Sequence, residues 1–172
     1  MEWASFRIGY ESGLTIVKHD WSAFLIQAEI SPALIAAYRA TKYRAALKAE
    51  SGSGTVILRI DEYSEPLSRL FTASKLKCAA FITACNPYSV PQSHEKNLMA
   101  CARLRNKLDR KARPGWIFEG ESHDPSGAWP AEKSFLVLGL DLETSRALGK
   151  EFGQNAIVWA GADAIPRLIL LR

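Results

Sequence analysis

Hydroxyl and amide side chains follow one short apolar run in this sequence and recur near its end. They are Thr83, Asn86, Ser89, Ser93, Gln154 and Asn155. Such groups orient a polar ligand but do not perform acid–base chemistry at neutral pH by themselves. Ser93 also begins a long helical pattern, whose first amide groups can face an anion. The pattern predicts a site for a small anionic or nucleotide-like ligand. The alternative is that these groups form only an Asx turn, a helix cap and loop hydrogen bonds.

A second candidate is a basic surface on the long helix. Lys96, Arg103, Lys107 and Arg110 recur at spacings of seven, four and three residues, which places them along one helix face. Such a stripe can neutralise phosphates, and its affinity for nucleic acid should fall steeply with salt. The net charge of +4 and pI near 9.0 point in the same direction. The alternative to a nucleic-acid-binding or regulatory protein is a solvated helix face.

Carboxylates and cysteines provide weaker candidates for a functional site. Glu119 and Glu121 share one strand face, and with Asp124 they form a possible Mg²⁺ set, although acids on a solvent-facing edge strand look the same. Cys85 is a possible nucleophile, but we favour a small buried thiol. The three cysteines and three histidines lack paired zinc spacings, so no metal is predicted. No nucleotide-binding glycine loop or GxSxG motif occurs, so the patterns specify neither a cofactor nor whether the chain is an enzyme.

Composition indicates one globular domain. The chain has 172 residues, of which 48% are hydrophobic and 23% are charged. An odd number of widely spaced cysteines suits reduced thiols, so we expect a cytoplasmic protein. The apolar stretch near residue 25 is short and interrupted by polar residues, which predicts neither export nor membrane spanning.

The elements that must position these residues alternate between helix and strand. Residues 1–30 lack a sustained period and are predicted to form an arm, whereas residues 31–172 form the domain. The predicted helices are 31 to about 48, 65–76, 93 to about 113, and 142–152, and the predicted strands are 55–60, 79–83, 116–119, 135–140, 155–160 and 165–171.

This alternation predicts an α/β fold, with α+β as the alternative. We expect a mixed central sheet of about five to six strands flanked by helices, with right-handed crossovers and a C-terminal β-hairpin. Ligands gather beyond the carboxyl ends of strands in such sheets, which is where the loop 83–93 should lie. An unpaired hairpin edge or the N-terminal arm also makes a protein–protein interaction module possible.

Three separated segments resemble one known family. They are 80–89 (AFITACNPYS), 124–139 with its DPSGAWP and SFLVLG portions, and 152–160 (FGQNAIVWA). Their order is similar to that of the bacterial domain of unknown function 3293, over approximately residues 31–172. The resemblance supports the domain extent and implies no reaction. Two departures stand out, because that family leads us to expect an aromatic residue in place of Cys85 and a Glu-Pro pair near Glu132 and Lys133.

Overall fold

A computed structural model describes residues 30–49, 52–127 and 130–172, so the N-terminal arm expected over 1–30 lies almost wholly outside the described residues. Its elements in chain order are α1 (Pro32–Ala40), β1 (Lys42–Ala49), β2 (Gly52–Leu58), α2 (Glu65–Ser74), β3 (Ala79–Thr83), a 3₁₀ turn (Pro87–Ser89), α3 (His94–Lys111), β4 (Ile117–His123), β5 (Glu132–Leu138), α4 (Leu142–Glu151), β6 (Ala156–Ala160) and β7 (Pro166–Leu170). Within these residues, no helix has both the length and the apolar character needed to cross a membrane.

The helices begin at side-chain caps. Ser31, Ser64, Ser93 and Asp141 each accept a hydrogen bond from a backbone amide in the first turn of α1, α2, α3 and α4, respectively. A cap of this kind satisfies an amide that has no partner within the helix. The predicted cap at Ser93 is thereby confirmed.

The seven strands form one curled sheet in the order β2-β1-β4-β5-β3-β6-β7. The α/β class, the central sheet and the C-terminal hairpin are confirmed, and the sheet has more strands than the five to six expected. Every pairing between the described strands is antiparallel, so the sheet is not mixed. Crossover connections are present, but none of them joins two adjacent strands of the described sheet.

The reason lies in the centre of the sheet. The unit β3-α3-β4-β5-α4-β6 has the spatial order β4-β5-β3-β6. The connections β3-α3-β4 and β5-α4-β6 each pass over one strand. That intervening strand pairs antiparallel with the two strands that the connection joins. This is the split βαβ arrangement of ferredoxin-like folds. The β1–β2 hairpin extends it at one edge and β7 at the other.

Helices cover both faces of the sheet. In β3, Ala79 and Phe81 belong to the core that contains α2, whereas Ala80 and Ile82 belong to the core that contains α3 and α4. This alternation follows the period of two in a strand. It explains why β3 appears in the sequence as a continuous apolar run.

The first predicted helix is too long. The structure ends α1 at Ala40, and the remainder, which we predicted to be helical to about Lys48, is strand β1. Tyr43 and Ala45 are buried there while Arg44 and Ala46 are exposed. Pairing with β2 and β4 therefore overrides the helix propensity of this alanine- and lysine-rich segment.

Candidate functional site

The C-terminal end of β3 opens into a cavity of about 180 Å³. Because β5 and β6 both run antiparallel to β3, their N-terminal ends lie beside this point. The loop after β3, the start of β5 and the corner before β6 therefore meet there. Helix α1 forms a further wall through Leu34, Ala37 and Tyr38.

Most of the predicted ligand residues lie together at this cavity. Thr83, Asn86, Ser89 and Gln154 line it, and the Asn155 amide donates to Ser89 Oγ at 2.9 Å. The corner is also tied directly to the loop, since Gln154 Nε2 donates to the Cys85 carbonyl at 3.0 Å. Ser93 is not among the lining residues, because its hydroxyl caps α3 by accepting from the Lys96 amide.

Asn86 holds the loop in shape. It adopts a left-handed backbone conformation, and its Oδ1 accepts from the Gln92 amide and from Asn97 Nδ2, both at 2.9 Å. Its Nδ2 donates to Glu132 Oε1 at 2.7 Å. Thr83 is used similarly, because its hydroxyl donates to the Lys133 carbonyl and accepts from the Cys85 amide. Asn86 therefore forms loop hydrogen bonds but not the expected Asx turn, because its Oδ1 accepts from an amide six residues on instead of two.

A polar cluster joins α1 to the loop and the corner. Tyr38 Oη and Ser89 Oγ lie 2.9 Å apart, and Asn155 Nδ2 donates to both, at 3.3 and 2.9 Å. Asn155 is 5% exposed, and its Oδ1 has no hydrogen-bond partner among the described residues. The cluster fixes the wall formed by α1.

Glu132 brings a carboxylate into the cavity. It is the first residue of β5, and the β3–β5 register, in which Thr83 faces Ser134, places it beside Asn86. Burial raises the pKa of Glu132, partly offset by the Asn86 hydrogen bond. Its second oxygen, Oε2, receives no hydrogen bond from the described residues. It therefore keeps unused acceptor capacity.

The remaining lining is mainly aromatic and aliphatic, with one further acid. Tyr43 and Phe81 meet edge to face with ring centroids 5.4 Å apart. Burial raises the pKa of the Tyr43 hydroxyl, so this group stays neutral. Asp124 is the second acid in the lining, and its carboxylate accepts from the Ser126 amide and hydroxyl. No lysine, arginine or histidine lines the cavity among the described residues.

The basic residues of α3 lie elsewhere. Lys107 pairs with Glu151 of α4 at 2.6 Å, and the Arg103 guanidinium lies 5.9 Å from the centre of the Phe152 ring. Lys96 and Arg110 are exposed. Two of the four predicted nucleic-acid contacts therefore already have partners within the chain.

The three acids considered for Mg²⁺ do not converge. Glu119 lies 3.5 Å from Lys133 Nζ, and Glu121 lies 3.5 Å from an Arg44 guanidinium nitrogen. Asp124 faces the cavity. No cluster of three or more metal-binding side chains is present in the described part of the chain.

Cys85 meets a second cysteine instead of a catalytic base. Its Sγ lies 3.3 Å from Cys101 Sγ of α3, and both thiols are buried. The shared thiol hydrogen raises the pKa of Cys85, with burial adding to it, and lowers the pKa of Cys101.

Glu132, Tyr38 and the cysteine pair are the site residues that the sequence analysis did not assign. Tyr38 follows the helical spacing of α1, which reads as ordinary packing. Glu132 lies 46 residues from Asn86 and is the first residue of β5, so only the strand order reveals their contact. A carboxylate shortly before the apolar run 135–140 was the available signal.

The fold and the site thus define a split βαβ protein with a partly open, acid-bearing cavity at the end of strand β3. Residues 82–157 match the model of the family described as "Protein of unknown function (DUF3293)", which confirms the resemblance found in the sequence. That stretch includes all six residues predicted for the ligand site. Neither the curated proteins nor the solved structures provide a match to the chain.

Proposed function

We propose that this protein binds a small organic molecule in the cavity, through an uncharged or cationic hydrogen-bond donor that faces Glu132. The observation that carries the proposal is the half-buried Glu132 carboxylate, which has an unused oxygen and no salt-bridge partner among the described residues. A ligand donor can supply the interaction that burial has removed.

The charge of the described lining favours this class of ligand over the anionic one expected from the sequence. A phosphate or carboxylate placed in the cavity would face Glu132, and no lysine or arginine among the described residues would compensate it. A neutral, nucleoside-like molecule with amino groups remains compatible. The neighbouring rings of Tyr43 and Phe81 suit either a flat neutral group or an organic cation.

The volume limits the part of the ligand that is enclosed. An engineered apolar cavity of about 150 Å³ accommodates benzene, so about 180 Å³ holds one aromatic ring with a short substituent. The enclosed group is therefore of single-ring size, and any larger portion of the ligand extends outside.

Three single-ring compounds of similar size but different charge test the proposal. Benzylamine, benzyl alcohol and benzoate are titrated against the full chain at pH 8 by ligand-observed NMR, with adenosine and adenosine monophosphate as a second matched pair. We expect benzylamine to bind at least about tenfold more tightly than benzoate, because a charge-assisted hydrogen bond contributes about 1.5–3 kcal/mol. Benzoate binding as tightly as benzylamine would overturn the assignment of ligand charge.

Two variants locate the effect. Glu132→Gln keeps an oxygen for Asn86 but removes the charge, so benzylamine should lose its advantage over benzyl alcohol. Glu119→Gln removes a carboxylate on β4 that is exposed and is not among the lining residues, and it should leave all affinities unchanged. An equal loss in both variants would indicate a general charge effect rather than a site.

The other expectations from the sequence stay predictions. Nucleic-acid binding through the α3 face is tested by the salt dependence of binding and by charge reversal at Arg103 and Lys107. Pairing with another protein chain at a sheet edge is tested by the molecular mass in solution. Bacterial origin and a cytoplasmic location, which the cysteine pattern favours, have the same standing.

A further inference from the structure

Two thiols lie in contact beside the cavity, and the proposed ligand binding does not use them. Cys85 Sγ and Cys101 Sγ are 3.3 Å apart, and both cysteines are free. A disulfide bond is about 2.05 Å long, so the sulfurs need to approach by about 1.3 Å. Side-chain rotation and a small shift of the loop can supply a movement of this size.

Access to the pair is one-sided. Cys85 follows β3 and lines the cavity, whereas Cys101 lies about two turns into α3 and is not among the lining residues. Cys78 precedes β3, at the other end of the strand and on the order of 20 Å away. A small oxidant in the cavity therefore reaches Cys85 first, and only Cys101 can complete a disulfide with it.

We propose that Cys85 and Cys101 form a redox-active pair that a hydroperoxide entering the cavity converts to an intramolecular disulfide. Cys85 Sγ gives its proton to solvent and attacks one peroxide oxygen. The O–O bond breaks, and the departing hydroxide takes a proton from solvent to become water, which leaves Cys85 as a sulfenic acid.

Cys101 Sγ then attacks Cys85 Sγ. The S–O bond breaks, the departing hydroxide takes the Cys101 proton to form a second water, and the S–S bond forms. The two sulfurs together lose two electrons, and the peroxide gains them. The product joins the loop after β3 covalently to α3, and a thiol reductant reverses it.

Peptide mass mapping of the full chain tests this reaction. Trypsin leaves Cys78 and Cys85 in one peptide, 78–96, so the experiment uses the Cys78→Ala variant. After exposure to hydrogen peroxide under native conditions, we expect peptide 78–96 to be linked to 97–103, with a loss of about 2 Da that dithiothreitol restores. Met99 in the second peptide is 63% exposed, and its sulfoxide reports that the oxidant was active.

Two further variants on the Cys78→Ala background test the order of the steps. With Cys101→Ser, the reaction should stop at a sulfenic acid on Cys85, which dimedone traps. With Cys85→Ser, Cys101 should give no dimedone adduct. Intact Cys85 and Cys101 thiols in a chain whose Met99 is oxidised would overturn the proposal, and a dimedone adduct on Cys101 would overturn the assignment of Cys85 as the first thiol to react.

Discussion

Gly153 joins the corner after α4 to the loop after β3, and it allows a direct test of how the cavity is assembled. Its φ of +66° is in the left-handed region, and its carbonyl accepts from the Tyr88 amide at 2.7 Å. A Cβ atom built at Gly153 meets Pro87 Cβ at 3.0 Å and the Tyr88 ring at 3.2 Å. Alanine at this position therefore adds both backbone strain and a steric contact.

Gly115 provides a matched control. It has a φ of +84°, but a Cβ there meets nothing within 4 Å. Gly115→Ala should lower the free energy of unfolding by about 1 kcal/mol, from the left-handed conformation alone. Gly153→Ala should lower it by a further 1–3 kcal/mol or so, because a tightly packed site is overfilled. The entropy that alanine removes from the unfolded chain is the same in both variants and cancels in the difference.

Urea unfolding at pH 7 gives the free energy of unfolding of both variants. Their m-values are also compared, because equal m-values show that the same unfolding transition is measured. For a domain of this size, each kcal/mol corresponds to about 2–4 °C in Tm, which gives a second measurement. If the two variants lose the same stability, the loop does not pack on the corner as described. The reasoning that places Gln154 and Asn155 beside the loop then fails with it.

Three further predictions concern single contacts. Burial raises the pKa of Glu132, so the stability that this group contributes is present below its unfolded pKa and is lost as pH rises through its folded pKa. The free energy of unfolding of Glu132→Gln, measured in urea, should therefore increase relative to that of the wild type between pH 4 and pH 8. A difference that stays constant with pH would contradict this. Tyr38→Phe should lose about 1 kcal/mol by deleting the hydroxyl of the α1 cluster, whereas Tyr63→Phe, at a 61% exposed ring, should change stability by less than about 0.5 kcal/mol. Gly149→Ala should lose about 1–3 kcal/mol, because its Cβ would lie 2.4 Å from Leu171 Cδ1, and pairing it with Leu171→Ala should be less than additive.

Local signals predicted much of the fold. The apolar run of β3, the cap at Ser93 and the hairpin of β6 and β7 each depend on neighbouring residues, and the structure has them close to their predicted bounds. The segment Lys42–Ala49 was missed because its composition favours a helix. Only the alternating burial that partner strands impose makes it β1.

Local signals did not predict the order of the strands in the sheet, and the chemistry of the site depends on that order. Alternating helices and strands fit adjacent parallel strands as well as they fit the split arrangement in which β5 separates β3 from β4. The split arrangement places Glu132 next to Asn86 and folds α3 back so that Cys101 meets Cys85. Neither contact has a signature in local sequence, because each joins residues from separate elements.

The hydrogen bonds at the cavity separate residues that build the site from residues that can meet a ligand. The side-chain groups of Asn86 are used within the loop and on Glu132, and the Thr83 hydroxyl both donates and accepts. Such groups have little capacity left for a ligand, although their amide and hydroxyl chemistry made them the natural candidates in the sequence. Glu132 keeps an oxygen without a described partner in a half-buried position where its charge is disfavoured. The free energy available for recognition is therefore concentrated on Glu132, the first residue of β5, and substitutions in the loop should affect the stability of the cavity more than its choice of ligand.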